Sequence, residues 1–178
     1  VLIPRPSTEG LIELALDFLR SGRDEVREID TEIVGVAKKY SAVQDVSTIV
    51  DIGTGCGCIA ITLKLERPDL NVIATDSSVS ALEVAKENAR GLCADIDSRV
   101  GDGLEPVLDV AEPFIIVSNP PYIPVPVAGS HESSLRYEPR EALYAGFDGK
   151  DIINGILRDA KKHTCCRGIV LECRKDQC

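Results

Sequence analysis

The sequence predicts an α/β fold: a mostly parallel sheet with helices on both faces. Three observations carry the prediction. Short, continuously apolar runs such as Phe114–Ser118 (Phe-Ile-Ile-Val-Ser) read as strands buried on both sides. Segments with apolar residues at helical spacing alternate with those runs. A cluster of glycines, Gly53, Gly55 and Gly57, stands where one strand passes into helix. With 178 residues the chain has the size of one domain and can bury a substantial core.

The elements follow in order. Residues 1–6 are extended, because Pro4 and Pro6 oppose an early helix. Ser7 or Thr8 can cap a helix over about 8–20, whose Leu11, Leu14, Ala15, Phe18 and Leu19 form one stripe. Residues 21–45 are polar and read as an excursion, with a short helix near Thr31–Tyr40. Thr48–Ile52 is the first strand, Ile59–Glu66 a helix closed by Pro68, and Asn71–Thr75 the second strand. Ser77 or Ser78 caps a helix over about 79–90, which Gly91 stops. Arg99–Val100 belongs to a third strand and Phe114–Ser118 is the fourth. A loop with Pro120, Pro121, Pro124, Pro126 and Pro139 follows, then a helix at about 150–162 and a fifth strand at Gly168–Cys173.

Composition narrows the function. Hydrophobic residues make up 44 % and charged residues 28 %, which fits a globular chain rather than a disordered one. The net charge of −9 argues against gripping bare phosphate backbones by general electrostatics. No apolar run reaches the length of a membrane span. The seven cysteines lack framework or zinc spacing, so reduced thiols in a cytosol-like compartment and no bound metal are expected. The chain has no Met and begins with Val1, so an excised piece of a longer protein is expected.

Asp51-Ile52-Gly53-Thr54-Gly55-Cys56-Gly57 joins a strand to a helix. Glycines there allow positive φ and let a ligand approach bare backbone. The helix N-terminus adds unpaired amides. The spacing is G-x-G-x-G, and the dinucleotide fingerprint would need glycine where Cys58 stands. That shifts the expected ligand from nicotinamide cofactors towards S-adenosylmethionine. Asp76 ends the second strand and can accept hydrogen bonds from ribose hydroxyls, or serve as a helix N-terminal charge. Asp102, in Gly101-Asp102-Gly103, could meet the adenine amino group, although Asp-Gly is also ordinary turn chemistry.

Ser118-Asn119-Pro120-Pro121-Tyr122 leaves the most apolar strand. Two prolines cannot extend a central strand, and they stiffen the loop. The Asn119 amide oxygen and the Pro120 carbonyl are two acceptors, and Tyr122 offers a flat face. The set suits methylation of a planar NH₂ nitrogen, whose two hydrogens need acceptors and whose lone pair needs orientation. Orientation of this kind can be worth roughly 7–11 kcal/mol.

At this point the chain resembles class I S-adenosylmethionine-dependent methyltransferases with a Rossmann-like fold. It most resembles the HemK/PrmC family of protein-(glutamine-N5) methyltransferases. Matching segments are Ile3–Glu9, Asp51–Gly57, Asp76, Ser118–Tyr122, Tyr137–Leu143 with Gly146–Gly149, and Leu171-Glu172 with Gln177. The resemblance implies that Gly53, Thr54, Gly55, Cys56 and Gly57 surround the methionine part of S-adenosylmethionine. Asp76 would hold the ribose, and Asp102 and Gly103 would lie near adenine. Asn119, also beside the cofactor, and the Pro120 carbonyl would hold the target amide, with Pro121 and Tyr122 against it. The implied substrate is the glutamine of a Gly-Gly-Gln loop in a peptide chain release factor, met in the cytoplasm or an organellar matrix, with no direct nucleic-acid or membrane partner. Ser7 and Phe114 depart from the family pattern, where acids are usual. Residues 1–178 would form the catalytic domain, without the family's N-terminal helical domain and last strands. In the family strand order 3-2-1-4-5-7-6 the fifth strand would then be a bare edge, which predicts weak stability or dependence on a partner.

Two other functions stay open. A nucleic-acid amino-group methyltransferase of the adenine-N6 type would share the Asn-Pro-Pro-Tyr chemistry but usually carries a basic recognition region. A cofactor-fold remnant acting as an interaction module would fit the departures at Ser7 and Phe114.

Overall fold

The computed structural model describes residues 3–29, 31–125 and 137–178; Pro126 and His131 lie outside the described residues. Among these residues seven strands form one sheet: β1 (Glu25–Glu28), β2 (Ile33–Lys39), β3 (Thr48–Ile52), β4 (Asn71–Asp76), β5 (Asp97–Val100), β6 (Phe114–Ser118) and β7 (Cys166–Arg174). The helices are α1 (Pro6–Ser21), α2 (Cys58–Glu66), α3 (Val79–Gly91) and α4 (Asp151–Lys162). Strand order is β1-β2-β7-β6-β3-β4-β5, with β7, β6, β3, β4 and β5 parallel.

The five parallel strands are the five that the sequence predicts, lengthened at their ends by at most two residues. All five residues of β3 and of β6 are buried, because each face of the sheet carries its own core. On one face Ile49, Ile115 and Val170 pack with Leu11, Leu14 and Phe18 of α1 and Ile59 and Leu63 of α2. On the other, Val50, Ile116 and Ile169 pack with Ile153 and Ile156 of α4. Burying a Leu, Ile or Phe side chain is worth about 1.5–3 kcal/mol, so these two faces dominate the stability. β3 has β4 on one side and β6 on the other, so the chain reverses its direction of travel across the sheet at this point. Ligands of open α/β sheets bind beyond the strand C-termini at such a switch point.

The segment 21–45 departs from expectation. The helix expected near Thr31–Tyr40 is instead β2, which pairs antiparallel with β7 over seven residues, from Ile33↔Arg174 to Lys39↔Gly168. Ile33, Val34 and Val36 are β-branched and fit a pleated, half-buried surface better than an isolated helix. Gly35 leaves room for α1: a Cβ there would stand 2.8 Å from Leu14 Cδ2. β1 pairs with β2 in turn, so β7 is not the bare edge that the family strand order implied. The actual edges, β1 and β5, are four residues each and carry charged side chains, which discourages edge-to-edge pairing.

Two helix ends also differ. α1 begins at Pro6 with Arg5 as N-cap, and Ser7 and Thr8 are buried rather than capping. Proline is well placed in the first turn, where no amide partner is needed. At α3, Ser78 caps as predicted, accepting from the Ala81 amide, but the left-handed residue after the helix is Cys93 and not Gly91.

Candidate active site

The glycine turn leaves β3 and enters α2 at Gly57, which has φ +85. A Cβ at Gly57 would lie 3.1 Å from that of Ala85, so glycine there lets α3 pack closely. Gly53 is different: at φ +71 its missing Cβ would meet nothing within 4 Å. Asp51 sits behind the turn, fully buried. Its Oδ2 accepts from the Thr54 hydroxyl at 2.6 Å and from the Ala60 amide at 3.1 Å. Burial pushes its carboxyl up to about 7, against the two hydrogen bonds that favour the ion. Asp51 Oδ1 has no hydrogen-bond partner among the described residues. The turn is also tied to α3, where Asn88 Nδ2 donates to the Cys56 carbonyl at 2.8 Å. A hydrogen bond from the Cys58 thiol draws the half-buried Cys56 down to about 6.

Asp76 stands at the end of β4, beside the turn. One carboxylate oxygen accepts from the Gly55 amide at 2.9 Å and the other from the Ser78 amide at 2.8 Å. An ionised carboxylate has about four acceptor sites, so both oxygens keep capacity for ligand hydroxyls. Asp76 thus fixes the start of α3 and also lines the cavity beside the turn.

At the end of β6 the buried Ser118 hydroxyl donates to the Ile52 carbonyl at 2.6 Å. The chain then leaves the sheet through Asn119, Pro120 and Pro121. Beyond Tyr122 it pairs with the segment that follows the undescribed residues: the Ile123 amide donates to the Leu143 carbonyl, and the Ala145 amide to the Ile123 carbonyl.

These elements enclose one cavity of about 190 Å³. Gly53, Gly55, Asp76, Asp102 and Gly103 line one part of it and Asn119, Pro120 and Pro121 another. The glycine turn and the Asn-Pro-Pro loop therefore open on a common space. Larger hollows of about 490 and 600 Å³ lie along Thr48–Lys64–Arg99 and along α4, but neither touches both motifs. Thr54, Cys56, Gly57 and Tyr122 are not among the residues lining the cavity. Thr54 turns inward to Asp51, while Tyr122 packs against the core and donates its hydroxyl to Glu172 Oε1 at 2.9 Å.

Sequence reasoning missed part of the wall: Pro139, Glu141 and Ala142, together with Ile152 and Ile156 of α4. The stretch Tyr137–Leu143 stood out only by resemblance, since its partners are distant in sequence. The Asn-Pro-Pro-Tyr motif marks Ser118 by position but does not reveal the bond its hydroxyl makes. The one available signal was a hydroxyl closing an otherwise apolar run.

A parallel α/β sheet with a glycine turn, an acid at the next strand tip and a rigid Asn-Pro-Pro loop, all facing one cavity, is the layout of a Rossmann-like fold with its crevice at the switch point. The Methyltransferase small domain family matches residues 36–127, and the chain belongs to that family. A release factor glutamine methyltransferase of Staphylococcus aureus is 39 % identical over 160 residues, which are 89 % of this chain and 49 % of that protein. One from Enterococcus faecalis is 38 % identical over 161 residues, 90 % of this chain and 50 % of that protein. The chain thus spans about half the length of the curated relatives it matches. Among solved structures, the N-terminal domain of human METTL16 in complex with SAH superposes with a TM-score of 0.60 at 14 % identity, over 99 % of this chain and 59 % of that one. At that identity the likeness shows the fold, which is the Rossmann-like class I methyltransferase fold.

Proposed function

We propose that the protein transfers a methyl group from S-adenosylmethionine to the side-chain amide nitrogen of a glutamine in the Gly-Gly-Gln loop of a peptide chain release factor, and that residues 1–178 serve as its catalytic domain. The observation that carries the reading is the shared cavity of the glycine turn and the Asn119-Pro120-Pro121 loop. It joins a cofactor crevice to a pair of acceptors. Relatives named release factor glutamine methyltransferase support the substrate.

The residues present suit the cofactor. Gly53 and Gly103, both with positive φ, line the cavity, and a Cβ at either would meet nothing within 4 Å. Their backbone is therefore bare towards open space, where Gly57 is filled by protein. Asp76 would take the ribose hydroxyls, Asp102 and Gly103 would border adenine, and Gly55 the methionine part. When bound, S-adenosylmethionine would supply an electrophilic methyl group, with a neutral thioether as the leaving group and the displaced amide proton going to solvent. The Asn119 amide oxygen and the Pro120 carbonyl would each accept one N–H of the target and so hold its lone pair towards the methyl group. Thr54, Cys56 and Gly57 shape the turn from behind, and Tyr122 stiffens the loop.

A net charge of −9 disfavours a nucleic-acid substrate. Among the described residues no helix is long and apolar enough to cross a membrane. The seven free cysteines fit a reducing compartment such as the cytoplasm. The test is methylation of a release factor by the full-length protein with labelled cofactor. Incorporation at the Gly-Gly-Gln glutamine is expected, and Asn119→Ala should abolish it. Labelling of an oligonucleotide but no release factor would overturn the reading.

A further inference from the structure

Pro120 and Pro121 have no amide hydrogens, so sheet-type bonds cannot hold this loop at its most important point. It has to be gripped from elsewhere. Ser118 lies opposite Leu171 in the β6–β7 register, which puts Glu172, the next residue of β7, at the same end of the sheet as Asn119.

We infer that Glu172 and Gln177 are positioning residues for the Asn119–Tyr122 loop, one holding Tyr122 by its hydroxyl and the other by its carbonyl. The inference rests on the reading of that loop as the holder of the target amide. Glu172 is only 1 % exposed. A carboxyl group so deeply buried requires donors, and Tyr122 Oη reaches its Oε1 at 2.9 Å while the Ser7 hydroxyl approaches the same atom at 3.4 Å. Gln177 belongs to the short turn after β7. Its Nε2 donates to the Tyr122 carbonyl at 2.8 Å and to the Asp148 carbonyl at 3.3 Å, and its Oε1 accepts from the Arg174 amide at 3.1 Å. The nitrogen and the oxygen of this amide are therefore both engaged, joining the end of β7 to two loops.

Neither residue lines the cavity. Both reach it through Tyr122, which two rigid prolines connect to Asn119. With the ring tied at one end and the carbonyl at the other, rotation of Tyr122 is blocked, and the direction of the Pro120 carbonyl is set. Ser7 adds a link from the start of α1 to the same carboxyl group.

The test compares Gln177→Ala and Glu172→Gln with the wild type in the full-length protein. Three quantities are read: S-adenosylmethionine affinity by calorimetry, kcat and KM for a Gly-Gly-Gln substrate, and amide hydrogen exchange at Tyr122, Ile123 and Val125. Gln177→Ala should lower kcat by about ten- to a hundredfold, as misorientation of a reacting group does, with cofactor affinity unchanged. Exchange at Tyr122, Ile123 and Val125 should speed up by about fivefold or more. Glu172→Gln keeps an acceptor for the tyrosine hydroxyl and should retain most of kcat. Unchanged kcat and exchange in Gln177→Ala would overturn the inference, as would a loss of cofactor affinity in step with kcat. If the wild type methylates no such glutamine, the substrate reading fails, and exchange alone decides whether the two residues grip the loop.

Discussion

The Ser118 hydroxyl donates to the Ile52 carbonyl at 2.6 Å, joining the C-terminal ends of the two central strands. Ile52 immediately precedes the glycine turn and Ser118 immediately precedes Asn119. This hydrogen bond extends the β3–β6 pairing to the point where the glycine turn and the Asn119 loop leave the sheet. Ser118→Ala would leave the Ile52 carbonyl without this donor in a buried place, at a cost of about 1–3 kcal/mol in stability. The larger effect should be on turnover, because the two halves of the site would lose their common reference. Urea denaturation gives the first quantity and steady-state kinetics the second. Wild-type kcat with only a stability loss would mean that the strand ends stay in register without this bond.

Asp51 makes stability depend on pH. Its folded pKa is pushed up to about 7 by burial, from an ordinary value of 3.8. Between those values the folded protein holds a proton that the unfolded chain has released. Stability should therefore be fully present below the unfolded value and fall as pH rises towards 7, then level off. The slope approaches about 1.4 kcal/mol per pH unit at most. Asp51→Asn keeps an oxygen for Thr54 and Ala60 but cannot titrate, so its stability curve should be flatter over that window. Urea denaturation of both proteins from pH 4 to pH 8 checks this, and parallel profiles would rule Asp51 out as the source.

The glycines of the turn divide into two kinds. Gly57→Ala would force a Cβ against Ala85 at 3.1 Å, in a left-handed conformation. It should destabilise the fold by separating α2 from α3. Gly53→Ala shares the backbone strain, of about 1–2 kcal/mol, but its Cβ would enter open space at the cavity. It should weaken S-adenosylmethionine binding out of proportion to its effect on stability. Calorimetry and denaturation on both variants separate the cases. Equal losses of affinity per unit of lost stability would remove the distinction.

The parallel half of the sheet was legible because its strands are short, apolar throughout and punctuated by Gly, Pro and capping residues. Thr48–Ile52 and Phe114–Ser118 were found to the residue. The crevice residues Gly53, Gly55, Asp76 and Asn119 were legible for the same reason, since motifs at strand ends carry their own geometry. What escaped was set by distant pairing. β2 sits within a largely polar, charged stretch and ends in two lysines, and its partner β7 is more than a hundred residues away. Its neighbours in sequence place Tyr122 beside Asn119 and Pro120, but its side chain packs against the core and not along the cavity. Its place behind the loop depends on Glu172 and Gln177, which only the folded sheet brings near.

The hairpin bears on stability as well as topology. Weak stability was expected because β7 would be an open edge, and β2 covers that edge along its length. Val36 lies in the middle of β2, opposite Val26 on one side and Leu171 on the other. Whichever neighbour its amide faces, proline there removes a ladder bond in an interior strand and collides with the pleat, at about 3 kcal/mol or more. Val36→Pro should therefore lower the unfolding midpoint sharply and, by uncovering β7, promote aggregation. Val26→Pro, on the exposed edge strand, should cost much less. Denaturation and light scattering of the two variants test the arrangement. If Val36→Pro is no worse than Val26→Pro, β2 does not protect β7, and the edge must be closed in some other way.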